Sequence, residues 1–502
     1  VKPSRKRQAP AKTSTPPAPP SQESASTDRF GRKWWILLIA LLLVFSTMRC
    51  AAAWKELWLD EIWALRIVEP LGSPLEIWTK VRIDNHCLYS LYLYFLDTSS
   101  ANWIYRLPSL LAGLGSMVLV ACISREQLRW NSRQPTAVET WATVIVSVLL
   151  LGCCHMNVHF DSEARGYSWC VCFCLLAFYC LLKGQTNRSR FLSLGYWAAT
   201  GLGLLSHPIA IHMLIAGGIW SSWHVFRTKG SAKQTLLHVG RWHLVPWTAF
   251  LAFYFFYLRL LKSGGAADVS WLEGSSMAWC YTLGLPLQVG ALAHLVGILL
   301  TAAALVYLIK QHNDLWVFYL IVVFISPLLL TFFRQSTYNY SRYFVVNTTM
   351  ALLLSGGVLG HLLRKDAITR ILLLAVLTLY VLGNCRYTHH LIRFGRGQYV
   401  EAIHFMRQNT ASQLVTVAGD HDFRHPLTIG FHLKRFGLLD QFAYYRQDTQ
   451  AASQWVILHG MEFDAPKPLQ ITDNHGNRFR LRQTYRSAFL SGFRLFLYEH
   501  ER

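Results

Sequence analysis

Charge is scarce in this sequence, and negative charge is scarcest. Only 15% of the 502 residues are charged, and the 27 Asp and Glu face 48 Lys and Arg. Apolar residues make up 53% and aromatics 14%, and mean hydropathy is positive. Such a chain is excluded as a soluble enzyme, and most of it belongs in lipid. Internal repeats of the kind that mark many secondary transporters are also lacking. Paired CxxC units are missing among the eleven cysteines. Cys153, Cys154, Cys170, Cys172, Cys174 and Cys180 fall in or beside apolar runs, where a thiol is a small hydrophobe rather than a zinc ligand. Cys87 and Cys280 fall in expected outer loops, where pairing is open.

Long apolar runs fill the first four-fifths of the chain, each long enough to cross a ~30 Å hydrocarbon core as a helix. They lie near 34–53, 103–123, 141–157, 166–183, 191–206, 208–226, 242–261, 288–309, 315–333, 342–363 and 370–386, so about eleven spans are expected. Only His207-Pro208 separates the fifth from the sixth, and a re-entrant piece there would invert everything after it. Loop charges support eleven spans with the N-terminus inside, because Arg125, Arg129, Arg133, Lys183, Arg188, Arg190, Arg227, Lys229, Lys233, Arg241, Lys310, Arg364, Lys365 and Arg370 then fall on the cytoplasmic side. The net charge of +21 is therefore a topology signal and gives little reason to expect nucleic-acid binding.

Residues 1–33 are basic and rich in Pro, Ser and Ala, a composition that reads as a disordered cytoplasmic arm able to touch anionic lipid. Ala51-Ala52-Ala53 imitates a signal-peptide cleavage site, but the arm is long for such a peptide and the topology needs this span retained. Residues 34–394 form the expected membrane module, with a first outer loop at 54–102. From 395 to 502 the pattern changes to a small α/β domain, with helices at 398–408 and 425–436 and strands at 414–417, 455–458, 479–485 and 493–498. This tail has no phosphate-cradling Gly-rich loop and no clustered Cys or His, so it reads as accessory.

On this topology the juxtamembrane acids gather on one face: Asp60 and Glu61, then Asp84 with His86, then Asp161 with Glu163. Charged groups at that depth are costly unless used. Each also has a plain reading. Asp60 suits the N-cap of a helix starting at Glu61, Asp84-Asn85-His86 a polar turn, and Glu163-Ala164-Arg165 a local ion pair worth under about 1 kcal/mol if exposed.

Their order along the chain resembles the GT-C membrane glycosyltransferases, specifically the protein mannosyltransferase and aminoarabinose transferase-like group that uses polyprenyl-phosphate sugars. Leu57-Trp-Leu-Asp-Glu-Ile-Trp-Ala64 is similar to that group's outer-loop Asp-Glu motif. Asp84-Asn-His-Cys-Leu-Tyr89 is similar to its Asp-x-His-Pro-Pro-Leu-Tyr, with Cys87 in place of the first proline. Tyr105-Arg-Leu-Pro-Ser109, Asp161-Ser-Glu-Ala-Arg-Gly-Tyr167 and Asn339-Tyr-Ser-Arg-Tyr343 follow in order. The resemblance implies a GT-C-like polytopic α-helical fold with a C-terminal extracytoplasmic α/β domain. It also implies a polyprenyl-phosphate-linked sugar donor, a glycan, lipid or protein acceptor, and inversion at the anomeric carbon.

In a direct displacement a carboxylate takes the acceptor's proton while the lipid phosphate departs. Asp60 is the expected base and Glu61 its assisting or metal-assisting neighbour. Arg165 and Arg342 are the leading phosphate clamps, with Arg82 and Arg106 behind them. Tyr167 and Tyr343 orient phosphate or sugar oxygens, and Asp84, His86 and Glu163 complete the substrate-binding set. A divalent metal, Mg2+ or Mn2+, would need convergent oxygens from Asp60, Glu61, Asp84, Asp161 and Glu163. The rival readings are a transporter or flippase for a lipid-linked sugar and a non-catalytic assembly factor. Compact loops and the lack of an endoplasmic-reticulum retention tail lean towards a bacterial inner membrane.

Overall fold

The computed structural model describes residues 22–81, 83–130, 135–187, 189–262, 268–334 and 339–501. Arg82 and positions 1–21 of the expected arm lie outside the described residues. The first helix, Gln22–Ala53, reaches back into that arm, so 22–33 are helical rather than disordered.

Among the described residues, seven stretches are long and apolar enough to cross a membrane: Gly31–Ala53, Asn102–Trp130, Tyr167–Thr186, Pro208–Lys229, Leu287–Lys310, Ser341–Leu362 and Ala367–Gln408. An eighth is a pair bent by 62°, Ala137–Cys153 with His155–Asp161. Shorter apolar helices run over Leu244–Leu260 and Leu315–Leu329, and Arg190–Ser206 is a helix of 17 residues. Every expected span thus has a helix, but length and hydropathy together support seven or eight crossings. Cys87 and Cys280 are both free thiols.

Two chain breaks shape what lies between the helices. At His207 the following proline excludes the helical region, and the residue is extended (φ −165°, ψ 139°) before a short 3-10 turn at Pro208–Ala210. Arg190–Ser206 and Ile211–Lys229 are therefore separate helices. The bent segment lies elsewhere, at Cys154. Backbone groups freed by a break at membrane depth need partners. Here Arg49 Nη1 donates to the Gly152 carbonyl (2.8 Å), and Asn384 Oδ1 accepts from the His155 N–H (2.7 Å). Beyond the break, Asp161 receives Arg49 Nε at 2.7 Å and Ser168 Oγ at 2.5 Å.

Residues 415–500 build a six-stranded sheet: β1 Val415–Gly419, β2 Phe442–Tyr444, β3 Trp455–Gly460, β4 Gln470–Thr472, β5 Arg478–Tyr485 and β6 Arg494–His500. The order is β2-β1-β3-β6-β5-β4, with β1 parallel to β2 and β3 and the other pairs antiparallel. Val415 and Val417 point inward from β1 at the strand period of two. They meet Ile403, Met406, Ile429 and Leu433 of helices Tyr399–Gln408 and Arg424–Phe436.

The sheet domain is fastened to the first loop and to the segment after the bent pair. Glu56 accepts from the Tyr399 and Val400 N–H groups (2.5 and 3.0 Å). Arg435 bonds Asn102 and the Ser100 carbonyl (2.6 and 3.0 Å). Arg396, wholly buried, donates to the His159 carbonyl at 2.5 Å and to the Ser162 carbonyl and hydroxyl at 3.2 and 3.1 Å.

Candidate active site

The short helix Leu59–Val68 carries Asp60 in its first turn, with Trp58 as the N-cap. Asp60 is thus inside the helix rather than its cap. The carboxylate that reaches back to the Trp58 N–H (3.2 Å) is Glu61's, three residues on. This leaves the Asp60 side chain free to point outward.

One Asp60 oxygen, Oδ2, is shared by two guanidiniums. Arg165 Nη1 bonds it directly, and Arg342 Nη1 lies 3.2 Å away. Three chain segments 105 and 282 positions apart therefore meet at one atom. Asp60 is 26% exposed, Arg165 16% and Arg342 26%, so the cluster opens to its surroundings. Aromatic faces hold both cations: Arg165 lies 5.4 Å from the Tyr167 ring, and Arg342 4.6 and 5.8 Å from those of Tyr340 and Tyr343.

Glu61 points the other way. It is fully buried, takes Arg106 in a forked pair (Nε–Oε1 2.7 Å, Nη2–Oε2 2.5 Å) and accepts the Ala164 N–H at 2.7 Å. Burial alone would raise its pKa, but Arg106, Arg396 and the Ala164 N–H hold it below the ordinary carboxylate value. Arg106 spends its other donors on the Ala53, Lys55 and Glu56 carbonyls and has no free edge for a phosphate. Together the pair fixes the residue preceding Arg165.

His86 caps the helix Cys87–Tyr94. Its Nδ1–H donates to the Ser206 carbonyl at 3.1 Å, and its ring stands edge-on to Tyr167 at 4.7 Å. Burial, then the Arg165 charge and His207, push its pKa well down, so the ring is neutral. Gly166 makes this packing fit, since a Cβ there would lie 2.2 Å from the Ser206 oxygen and 2.8 Å from His86 Nδ1. Asp84 serves its own turn, accepting from the His86 N–H (3.1 Å) and the Ser90 hydroxyl.

Glu163 lies behind Arg165, 3.8 Å from His159 and 4.0 Å from Arg396. Burial raises its pKa to about 7 against the opposing pull of Arg396 and Arg165, with the Glu61 and Asp60 charges pushing the same way as burial. Of the five expected metal ligands, Glu61, Asp84 and Asp161 are each committed to other partners. They do not form an oxygen cage with Asp60. Among the described residues the only cluster with metal-ligating geometry is Asp420, His425 and His459, in the sheet domain.

Comparison with known proteins gives structural likenesses only. No family model matches the sequence, and no curated protein matches it. Among solved structures, the chain is similar to the Archaeoglobus fulgidus oligosaccharyltransferase in complex with Zn and sulfate, at 11% identity and a TM-score of 0.48, covering 84% of this chain and 68% of that one. It is also similar to ArnT from Cupriavidus metallidurans in the apo state, at 12% identity and a TM-score of 0.48, covering 93% and 98%. ArnT bound to undecaprenyl phosphate gives 13% identity, a TM-score of 0.46 and the same coverage. At these TM-scores they stand as likenesses, and the chemistry has to be read from the site.

Proposed function

We propose that this protein is a membrane glycosyltransferase that moves a sugar from a polyprenyl-phosphate donor to an acceptor hydroxyl. The observation that carries the reading is the sharing of Asp60 Oδ2 by Arg165 and Arg342. Two guanidiniums bring two positive charges and Asp60 one negative, leaving an excess of one. A polyprenyl-phosphate sugar is a phosphodiester with one negative charge, which completes neutrality. Phosphate oxygens then compete for the forked donors, loosening Asp60 where a base is needed.

In the reaction the acceptor oxygen forms a bond to the anomeric carbon as the carbon–oxygen bond to phosphate breaks. Asp60 takes the hydroxyl proton and becomes neutral, while the departing lipid phosphate gains a second negative charge. The summed charge of the cluster stays at zero throughout, which suits a site where charge is costly to create. One-step attack inverts the anomeric centre. Glu61 and Arg106 act as positioning residues, and Tyr167 and Tyr343 keep the guanidiniums in place.

The reading includes eleven spans, the shorter apolar helices crossing too, with domain limits at 1–33, 34–394 and 395–502. It places the sheet domain and Asp60 together on the outer face of a bacterial inner membrane. Cysteine-accessibility labelling at Asp60 and Asn474 should report one compartment, and labelling from opposite sides would overturn this topology. Transfer of radiolabelled sugar from a polyprenyl-phosphate donor should occur with the wild-type protein. No transfer to any tested glycan, lipid or peptide acceptor, with lipid-linked sugar moved across vesicles instead, would favour a flippase.

A further inference from the structure

We propose that Asp420, His425 and His459 form a binding site for a single divalent transition ion of the zinc class, at the carboxyl ends of β1 and β3. The Asp420 Oδ1 atom lies 2.9 Å from His425 Nε2 and 3.0 Å from His459 Nδ1. All three ligand atoms fall within 4.8 Å of one another. Ligands about 2.0–2.1 Å from a tetrahedral ion stand roughly 3.3 Å apart, so the two short edges are already close to that spacing. The imidazoles lie face to face, 3.8 Å between centroids and 2° from parallel, which aims both nitrogens at the same side. Coordination asks the rings to tilt towards each other and each ring to carry its proton on the other nitrogen, Nδ1 of His425 and Nε2 of His459, leaving the two facing nitrogens bare for the ion.

Position in the fold supports the assignment. From β1 the chain passes through helix Arg424–Phe436 to β2 on one side, while β3 pairs on the other. This reversal makes the crevice beyond β1 and β3 the switch point where open α/β sheets bind ligands. Asp420 follows β1, His459 is in β3, and His425 is in the first turn of the helix between them. Gly419 admits the second histidine, for a Cβ there would lie 2.3 Å from its Cδ2.

Donor chemistry and access agree. Both rings are buried, while the Asp420 side chain is 36% exposed and gives an ion an entry path. Two nitrogens and one carboxylate oxygen suit zinc better than magnesium or calcium. Asp420 Oδ2 is fixed by the His459 N–H (2.9 Å), and His459 Nε2 faces the Tyr399 hydroxyl at 3.0 Å, an outer partner of the kind that orients ligating histidines. Because Tyr399 N–H is held by Glu56, the ion would stiffen the seam between the sheet domain and the first outer loop.

The test uses the full chain, purified in detergent without a polyhistidine tag and stripped with a chelator. Elemental analysis after Zn2+ addition and gel filtration should find one zinc per chain, with a raised Tm. Asp420→Asn and His459→Gln should lose the bound zinc and the Tm response, and Tyr399→Phe should weaken affinity about tenfold. Asp420→Asn keeps the fold testable, as the amide matches the carboxylate in size and retains an acceptor oxygen for the His459 N–H. Absence of zinc from the wild-type protein, or an unchanged stoichiometry in Asp420→Asn and His459→Gln, would overturn the assignment. None of these readouts depends on sugar transfer.

Discussion

Glu61 and Arg106 form a forked ion pair without solvent exposure, 2.7 and 2.5 Å across its two bonds, one residue from Asp60. Adjacent carboxylates of one motif thus do opposite jobs: Glu61 ties the first loop to Ala164, and Asp60 faces the cluster with Arg165 and Arg342. Removing one member of such a buried pair leaves an uncompensated charge and costs about 3–5 kcal/mol. Arg106→Met should therefore lower Tm sharply or abolish detergent-stable expression, while Asp60→Asn melts close to wild type. Fluorescence-detected size exclusion with a thermal ramp compares them, and equal melting would remove the structural role from the pair.

Gly166→Ala should lower kcat/KM for sugar transfer by tenfold or more. The added methyl meets a backbone oxygen at 2.2 Å, which cannot swing aside as a side chain would. The strain falls on Arg165 next door, and misplacing a reacting group by about 1 Å costs on the order of a hundredfold. Unchanged kinetics would show that the loop tolerates the shift.

Arg396→Met should loosen the sheet domain from the bent segment, since one buried guanidinium bonds both His159 and Ser162. Limited proteolysis near residues 395–398 should accelerate severalfold. An unaltered cleavage rate would mean that Glu56 and Arg435 hold the domain without it.

Stability should carry a pH signature from Glu163. Its folded pKa of about 7 lies above the ordinary 4.5, so between these values the folded chain holds the proton more often than the unfolded chain. Stability from this group is complete below about 4.5 and falls as pH rises through 7, by roughly 3 kcal/mol at most. The buried histidines titrate with the opposite sign, so the informative quantity is the wild-type curve minus that of Glu163→Gln. That difference should slope downward between pH 4.5 and 7, and a flat difference would refute the shift.

Much of this was legible in the sequence. Asp60, Arg165 and Arg342 stand in motifs whose order implied the cluster, and the α/β tail showed in its alternating apolar pattern. Partners that only the fold brings together were not legible. Arg49 falls within the first expected span with no motif around it, yet it pairs with Asp161 beyond the break at Cys154. Arg106 reads as a phosphate clamp until its donors are counted against carbonyls. In sequence the tail shows no clustered ligands because His425 and His459 belong to different elements, and only the parallel pairing of β1 with β3 joins them. The Gly-Asp at 419–420, where the glycine clears space for a ring, was the one local hint. β2 and β4, three residues each, are too short for a periodic signal.

The central claim is that Asp60 removes a proton from the acceptor while Arg165 and Arg342 hold the donor phosphate. Measuring polyprenyl-phosphate binding and sugar transfer side by side for Asp60→Asn and Arg342→Ala tests it most directly. Asp60→Asn should bind the lipid phosphate at least as tightly as wild type, having lost a competing anion, and lose transfer by about 10²–10⁴-fold. Arg342→Ala should lose binding. Transfer near the wild-type rate in Asp60→Asn, or lipid-phosphate affinity unchanged in Arg342→Ala, would contradict the account.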